Sequence, residues 1–224
     1  GRAAGPGRGG LKGRSRGKGP GTMTEGTIVA AERDIPETRG AGGEHPTWNG
    51  AAAARAIEES VQSGLLKPCR ALLLGADMSE EAAALSRLGF QVMATDPSGE
   101  ALARLRKAVE AKGGKIDAVR AEFLKTRQYY YGPVGLLVER TMLPGIPASG
   151  RAQWACVAAR CLSKDGKLFA LFRVGRGITG PPFVMSADAT RKMLSRLFLL
   201  ETFAQVGHAG PGRDQAWMGV FRRK

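Results

Sequence analysis

The sequence predicts an α/β fold, an open and mostly parallel seven-stranded sheet with helices on both faces and an antiparallel hairpin at its end. Three observations predict it. From Arg70 onward, short and largely apolar runs alternate with segments of helical period. The apolar runs end at glycine or an acid, as strands do when they deliver a loop to the edge of a sheet. The last two runs, Phe198 to Gln205 and Ala216 to Arg222, are joined by a turn-rich loop with no helix between them, which predicts a hairpin.

In chain order, residues 1 to 22 hold nine glycines, six Lys or Arg residues and no acid. With Leu11 as the one large apolar residue, this tail cannot offset its ordering entropy and is expected to be disordered, as a tag, a processed leader or upstream translation. Residues 23 to 50 read as an irregular arm rich in Pro and Gly, and 51 to 224 as the folded domain. The segment His45 to Gly50, HPTWNG, sets Trp48 in a turn as either a staple for the arm or a wall of a ligand pocket. An alanine-rich helix over 51–63 carries Ile57 and Val61. Arg70 to Leu74 reads as the first strand and Gly75 as its turn. Ser79 is the expected cap of a helix with Ala82, Leu85 and Leu88 at helical spacing, closed by Gly89. Phe90 to Thr95 is a second strand delivering Asp96, and 98–112 a helix with Leu102, Leu105 and Val109 inward. Ile116 to Phe123 and Val134 to Glu139 read as the third and fourth strands. A helix over 149–162 precedes the turn Lys164-Asp165-Gly166 and a fifth strand, Lys167 to Phe172. A glycine-rich loop, Gly175 to Pro182, and a helix over 187–197 lead to the hairpin.

Composition narrows the function. With 224 residues and 43% apolar content, one sizeable core is expected. No apolar run approaches the roughly 18 to 20 residues that span a bilayer, so a cytoplasmic protein without membrane contact is expected. Cys69, Cys156 and Cys161 lack C-x-x-C spacing, and His45 and His208 are scattered, which argues against a disulfide frame, a metal centre or a hydrolase triad. The net charge of +14 invites nucleic acid, but the tail has no interleaved aromatics and promises only weak contact with it.

The chemistry concentrates between Gly75 and Asp96. A carboxylate at the second strand's end can accept both hydroxyls of a ribose lying over the sheet edge. A dinucleotide fingerprint needs G-x-G-x-x-G, whereas Gly75 is followed by Asp77 and Ser79. Asp77 would also set a negative charge where a pyrophosphate should lie. S-adenosylmethionine (SAM) carries a cationic sulfonium and no phosphate, so an acidic loop suits it better, and a final antiparallel hairpin raises SAM above NAD. A doubly wound domain whose loop binds nothing is the alternative from these residues alone.

Three segments, HPTWNG, then VERTMLPGIP from Val138 to Pro147, then ITGPPFVMS from Ile178 to Ser186, stand in this order from about Trp48 onward. Together they resemble the thiopurine methyltransferase family, a branch of the class I SAM-dependent methyltransferases with a Rossmann-like fold. The resemblance implies SAM bound over Gly75 to Met78, with Ala76 and Asp77 in that loop, Asp96 on the ribose and the Ala121-Glu122-Phe123 stretch near the adenine; Glu81 would recover an acidic contact for the amino group that the first strand lacks. It implies methyl transfer to a small thiol or similar soft nucleophile by a monomer, with Glu139 and Arg140 on the catalytic side and Trp48, Pro182 and Phe183 around the acceptor. Arg140 would hold an anionic acceptor, or else pair with Glu139 or cap the next helix. The chain departs from the wider class in having Asp77 for a glycine, Leu73 for an acid on the first strand, and Gly135 for an Asp on the fourth. A degenerate fold serving a protein or RNA partner is the runner-up. An RNA methyltransferase is weakened, because Glu139-Arg140-Thr141-Met142 stands where a base-clamping N-P-P-Y segment would follow the fourth strand.

Overall fold

The structure, a computed structural model, describes Gly1, residues 50–127, 130–174, 181, 183, 185–208 and 215–224. The basic tail, the arm with Trp48, Pro182 and most of the glycine-rich loop lie outside the described residues. Helix α1 spans Gly50–Gln62, followed by β1 (Arg70–Leu74), α2 (Ser79–Arg87), β2 (Gln91–Asp96), α3 (Gly99–Glu110), β3 (Asp117–Arg120) and β4 (Val134–Glu139). A 3-10 turn at Leu143–Gly145 leads to α4 (Arg151–Cys161), β5 (Leu162–Val174), α5 (Ala187–Leu194), β6 (Phe198–His208) and β7 (Gln215–Arg223).

The strands form a seven-stranded sheet in the order β3-β2-β1-β4-β5-β7-β6. All neighbours are parallel as far as β5, and β7 runs antiparallel to both β5 and β6. Period-two alternation divides the core between the two faces. Ala71, Leu73, Ala94, Leu136 and Val138 meet α1, α2 and α3 through Ile57, Leu85, Leu102 and Val109. Leu72, Leu74, Leu137 and Phe172 face α4 and α5 through Trp154, Val157 and Leu194. Strands buried on both faces must be apolar at every position, which is why β1 and β4 are continuous hydrophobic runs.

Several boundaries differ from the sequence reading for local reasons. Ser79 is the first residue of α2 rather than its cap; Met78 holds the cap position and supplies no side-chain hydrogen bond. Ser98 and Ser186 do cap, accepting from Ala101 N at 3.2 Å and Ala189 N at 3.1 Å. Strand β3 is four residues long instead of eight, because beyond Arg120 the backbone turns to Asp96, with Ala121 N donating to Asp96 O at 3.1 Å. The turn at Lys164-Asp165-Gly166 lies inside β5, not before it. Val134 pairs with Leu162 and Leu136 with Lys167, so the intervening residues loop out, and Asp165 adopts φ +61°. Helix α5 stops at Leu194, three residues short of the sequence expectation.

Strand β7 is the interior strand of the hairpin. Its Gly219 sits opposite Ala170 of β5 and Phe203 of β6, and a Cβ there would run into the Phe221 ring. Phe172, Phe203, Trp217 and Phe221 close over that gap.

Candidate functional site

The carboxyl ends of β1, β2 and β4 open onto one edge, where the order reverses between β1 and β4. In an open α/β sheet such a reversal leaves a crevice for a ligand. Gly75 begins it at φ +113°, with its N–H donating to Thr95 O at 2.9 Å. A Cβ on Gly75 would lie 2.8 Å from Thr141 Oγ1, which itself donates to Leu74 O at 3.3 Å. Only glycine satisfies both the dihedral and the gap. Gly75→Ala is therefore expected to cost roughly 1–3 kcal/mol in urea denaturation. Adding Thr141→Ala should restore only part of it, since the gap opens but the dihedral strain stays.

Asp96 ties the loops together. Its Oδ2 accepts from Ala76 N at 3.0 Å and its Oδ1 from Ser98 N at 2.8 Å. Each carboxylate oxygen has a second lone pair, so a half-buried Asp96 keeps acceptor capacity toward the crevice. Thr95 Oγ1, one residue back and fully buried, lies 3.2 Å from both Ala121 O and Tyr131 Oη. That fixes the third strand's exit loop beside the second strand's end. Within this loop Glu122 is exposed and pairs with Lys125 at 2.9 Å, whereas Phe123 turns its ring into the core against Tyr131. An adenine here would meet backbone and Glu122 rather than the Phe123 ring.

The floor of the site is an ion pair that the sequence did not reveal. Glu81, in the first turn of α2, is wholly buried, and its Oε1 lies 2.6 Å from Arg140 Nε. Arg140 Nη2 also donates to the Asp77 carbonyl. The guanidinium thus pins the loop after β1 to the loop after β4, with Asp77 itself facing solvent. Burial pushes the Glu81 carboxyl above its usual range, and Arg140 works against that. Glu139 points the other way. It is wholly buried, its Oε1 accepts from Leu143 N at 2.7 Å, and its Oε2 is buried with no hydrogen-bond partner among the described residues. Burial pushes this carboxyl up to about 8, against the pull of the Leu143 and Met142 amides and of Arg140. Glu139 and Arg140 are neighbours in sequence that serve opposite sides of the strand. Of the expected acceptor pocket, Phe183 is half-buried and donates its N–H to Pro144 O at 2.7 Å, beside the turn that follows β4. Trp48 and Pro182 lie outside the described residues.

Other chemistries find little support here. Among the described residues no group of three or more His, Cys, Asp or Glu side chains could hold a metal, and no helix is long and apolar enough to cross a membrane. Burial pushes the Cys161 thiol up to about 11 and raises that of Cys69, so neither is a ready thiolate at neutral pH.

No family model and no curated protein matches this chain. Solved structures do. The N-methyltransferase NodS from Bradyrhizobium japonicum WM9, in complex with S-adenosyl-l-homocysteine, superposes with TM-score 0.64 at 13% identity, over 88% of this chain and 98% of that one. Magnesium protoporphyrin IX methyltransferase (ChlM) from Synechocystis PCC 6803, also with bound S-adenosyl-l-homocysteine, gives 0.62 at 13% identity, over 77% and 84%. The glycopeptide N-methyltransferase MtfA, complexed with sinefungin, gives 0.60 at 15% identity, over 78% and 94%. The fold is the Rossmann-like fold of class I methyltransferases, with its antiparallel β7 between β5 and β6.

Proposed function

We propose that this chain is a SAM-dependent methyltransferase whose acceptor is a small thiol or similar soft nucleophile. The observation that carries the reading is the cradle at β1 and β2, a glycine that tolerates no Cβ beside a carboxylate still able to accept from a ribose. The solved structures of this fold that hold S-adenosyl-l-homocysteine support it. Asp96 would hold the ribose hydroxyls, the Gly75-Ala76-Asp77 backbone the amino-acid portion, and Ala121 and Glu122 the adenine edge. The carboxylates Asp77 and Asp96, which form no ion pair among the described residues, give this rim a local negative charge on a basic chain, which favours a cationic ligand.

A bound SAM supplies a methyl group on a cationic sulfur, so the nucleophile's lone pair forms the new bond as the carbon–sulfonium bond breaks. The chain's residues then have to align, exclude water and hold charge. Glu139 is enclosed and its proton is retained near neutral pH, so it does not serve as an exposed base. Among the described residues the one histidine, His208, ends β6, four strand spacings from β1 and on the order of 19 Å away. With no histidine beside the crevice among the described residues, an acceptor that ionises readily by itself suits this reading. In this reading Arg140, its charge met by Glu81, acts as a positioning residue for the loop after β1.

Calorimetric titration of the full chain with SAM and S-adenosylhomocysteine tests the reading. Micromolar binding is expected, weakened about tenfold or more in Asp96→Ala, the scale of losing hydrogen bonds to a charged group. No heat of binding at millimolar ligand would sink it in favour of a degenerate fold, a reading drawn from Asp77 standing where a glycine is usual.

A further inference from the structure

The opposite end of the sheet, where β4 and β5 begin and β7 finishes, carries a feature unrelated to the crevice. A shallow cavity of about 350 Å³ lies there between Gly132, Ser163, Arg160, Lys164 and Arg223. Three cations line it and no acid does. Arg70 borders it, with Nη1 2.7 Å from where a Cβ on Gly132 would be. The cations next door are neutralised: Arg222 pairs with Asp165 at 2.9 Å and Glu201 at 3.1 Å, and Lys167 with Glu201 at 2.7 Å. By contrast, Arg70, Arg160, Lys164 and Arg223 form no ion pair with a carboxylate among the described residues. Arg223 instead braces the Leu162 carbonyl, while Arg160 and Lys164 are exposed.

An aromatic ring stands beside these charges. Tyr130 is 56% exposed, the most exposed of the large hydrophobic side chains among the described residues, and is two residues from Gly132. Its Cα is therefore within about 7 Å of the cavity's lip. An edge-on contact with buried Tyr131, centroids 5.9 Å apart, holds the ring in place. Unpaired cations around a recess, with an exposed ring at its rim, are the elements of a backbone-tracking and base-stacking surface. The carboxylates Asp77 and Asp96 at the crevice would repel a polyanion from that end. We propose that the end of the sheet opposite the crevice binds single-stranded nucleic acid, with phosphates at Arg160, Lys164 and Arg223 and a base on Tyr130. The inference stands apart from the methyl-transfer reading.

The test is fluorescence anisotropy of a labelled oligouridylate of about twelve nucleotides, a usual site size. The full chain is titrated across a salt series. Each phosphate contact contributes about 0.7 to the slope of log affinity against log salt. Arg160→Gln/Lys164→Gln should reduce that slope by about 1.4, and either single change by about half as much. Tyr130→Ala should weaken binding about fivefold or more and leave the slope unchanged. All three positions are exposed, so thermal midpoints should hold and certify the comparison. A variant with Arg2, Arg8, Lys12, Arg14, Arg16 and Lys18 changed to Ser separates the tail from the cavity, and should keep the effects of the cavity changes. An unchanged slope in the Arg160/Lys164 variants would overturn the proposal, as would complete loss of binding on neutralising the tail. So would retention on phosphatidylserine vesicles with no oligouridylate binding.

Discussion

Replacing Arg140 by Met is expected to destabilise the fold by about 3–5 kcal/mol at pH 8, the cost of leaving a buried charge without its partner. For a domain of this size that is a fall in melting temperature on the order of 10 °C. The partner is Glu81, wholly enclosed and 2.6 Å from Arg140 Nε. Two further measurements distinguish this cause from lost packing. First, the Glu81 carboxyl already stands above its usual range through burial, and losing the cation raises it further. The folded variant then keeps a proton that the unfolded chain releases, so the deficit should shrink as pH falls from 8 to 5. Second, Glu81→Gln added to Arg140→Met should recover most of the loss, because no charge remains to be stranded. Equal deficits at both pH values in urea denaturation would assign the effect to packing.

The opposite sign is expected for Glu139→Gln. This carboxyl is pushed up to about 8 by burial, against an ordinary value of 4.5. Below 4.5 both folded and unfolded chains hold the proton. Between 4.5 and about 8 only the folded chain does, so stability contributed by the protonated group is lost as pH rises through that window. Gln cannot ionise and keeps an oxygen to accept from Leu143 N. The variant should therefore match the parent near pH 4 and exceed it at pH 9 by on the order of 4 kcal/mol, with a flatter profile between. Glu81 is common to both proteins and cancels in the difference. Parallel melting curves across the range would show that Glu139 is ionised in the folded state.

What could be read from residues alone follows from how local the cause is. Strands β1 and β4 are apolar at nearly every position because both faces are covered, and the limits of β1, β2 and β4 were legible to within a residue. The hairpin was equally plain. Strand β3 was overdrawn because its end is set by Asp96, twenty-five residues before Ala121, and not by its own composition. The crevice acid was legible from Asp96 standing at a strand's end. The Glu81–Arg140 pair was not, since it depends on β1 and β4 lying side by side; sequence reasoning assigned Glu81 to a ligand's amino group and weighed Arg140 against Glu139 instead. Nothing local joins the two charges, which stand fifty-nine residues apart. The basic recess was hidden for the same reason. Its cations come from α4, β5 and β7 and meet only through the sheet's register.

The placement of β7 between β5 and β6 also constrains how the molecule comes into being. Among the described residues strand β6 has no neighbour in the sheet other than β7, and β5 is covered on that side by β7 alone. During synthesis at about 5–20 residues per second, the interval between finishing β5 and finishing β7 lasts several seconds. Throughout it, the flank of β5 and the face that will receive Phe221 are open to other chains. The nascent protein is thus a sheet with a missing slat, vulnerable to foreign strands until its own arrives. Released chains truncated before Gln215 should be captured by chaperones that let go of the chain carrying β7.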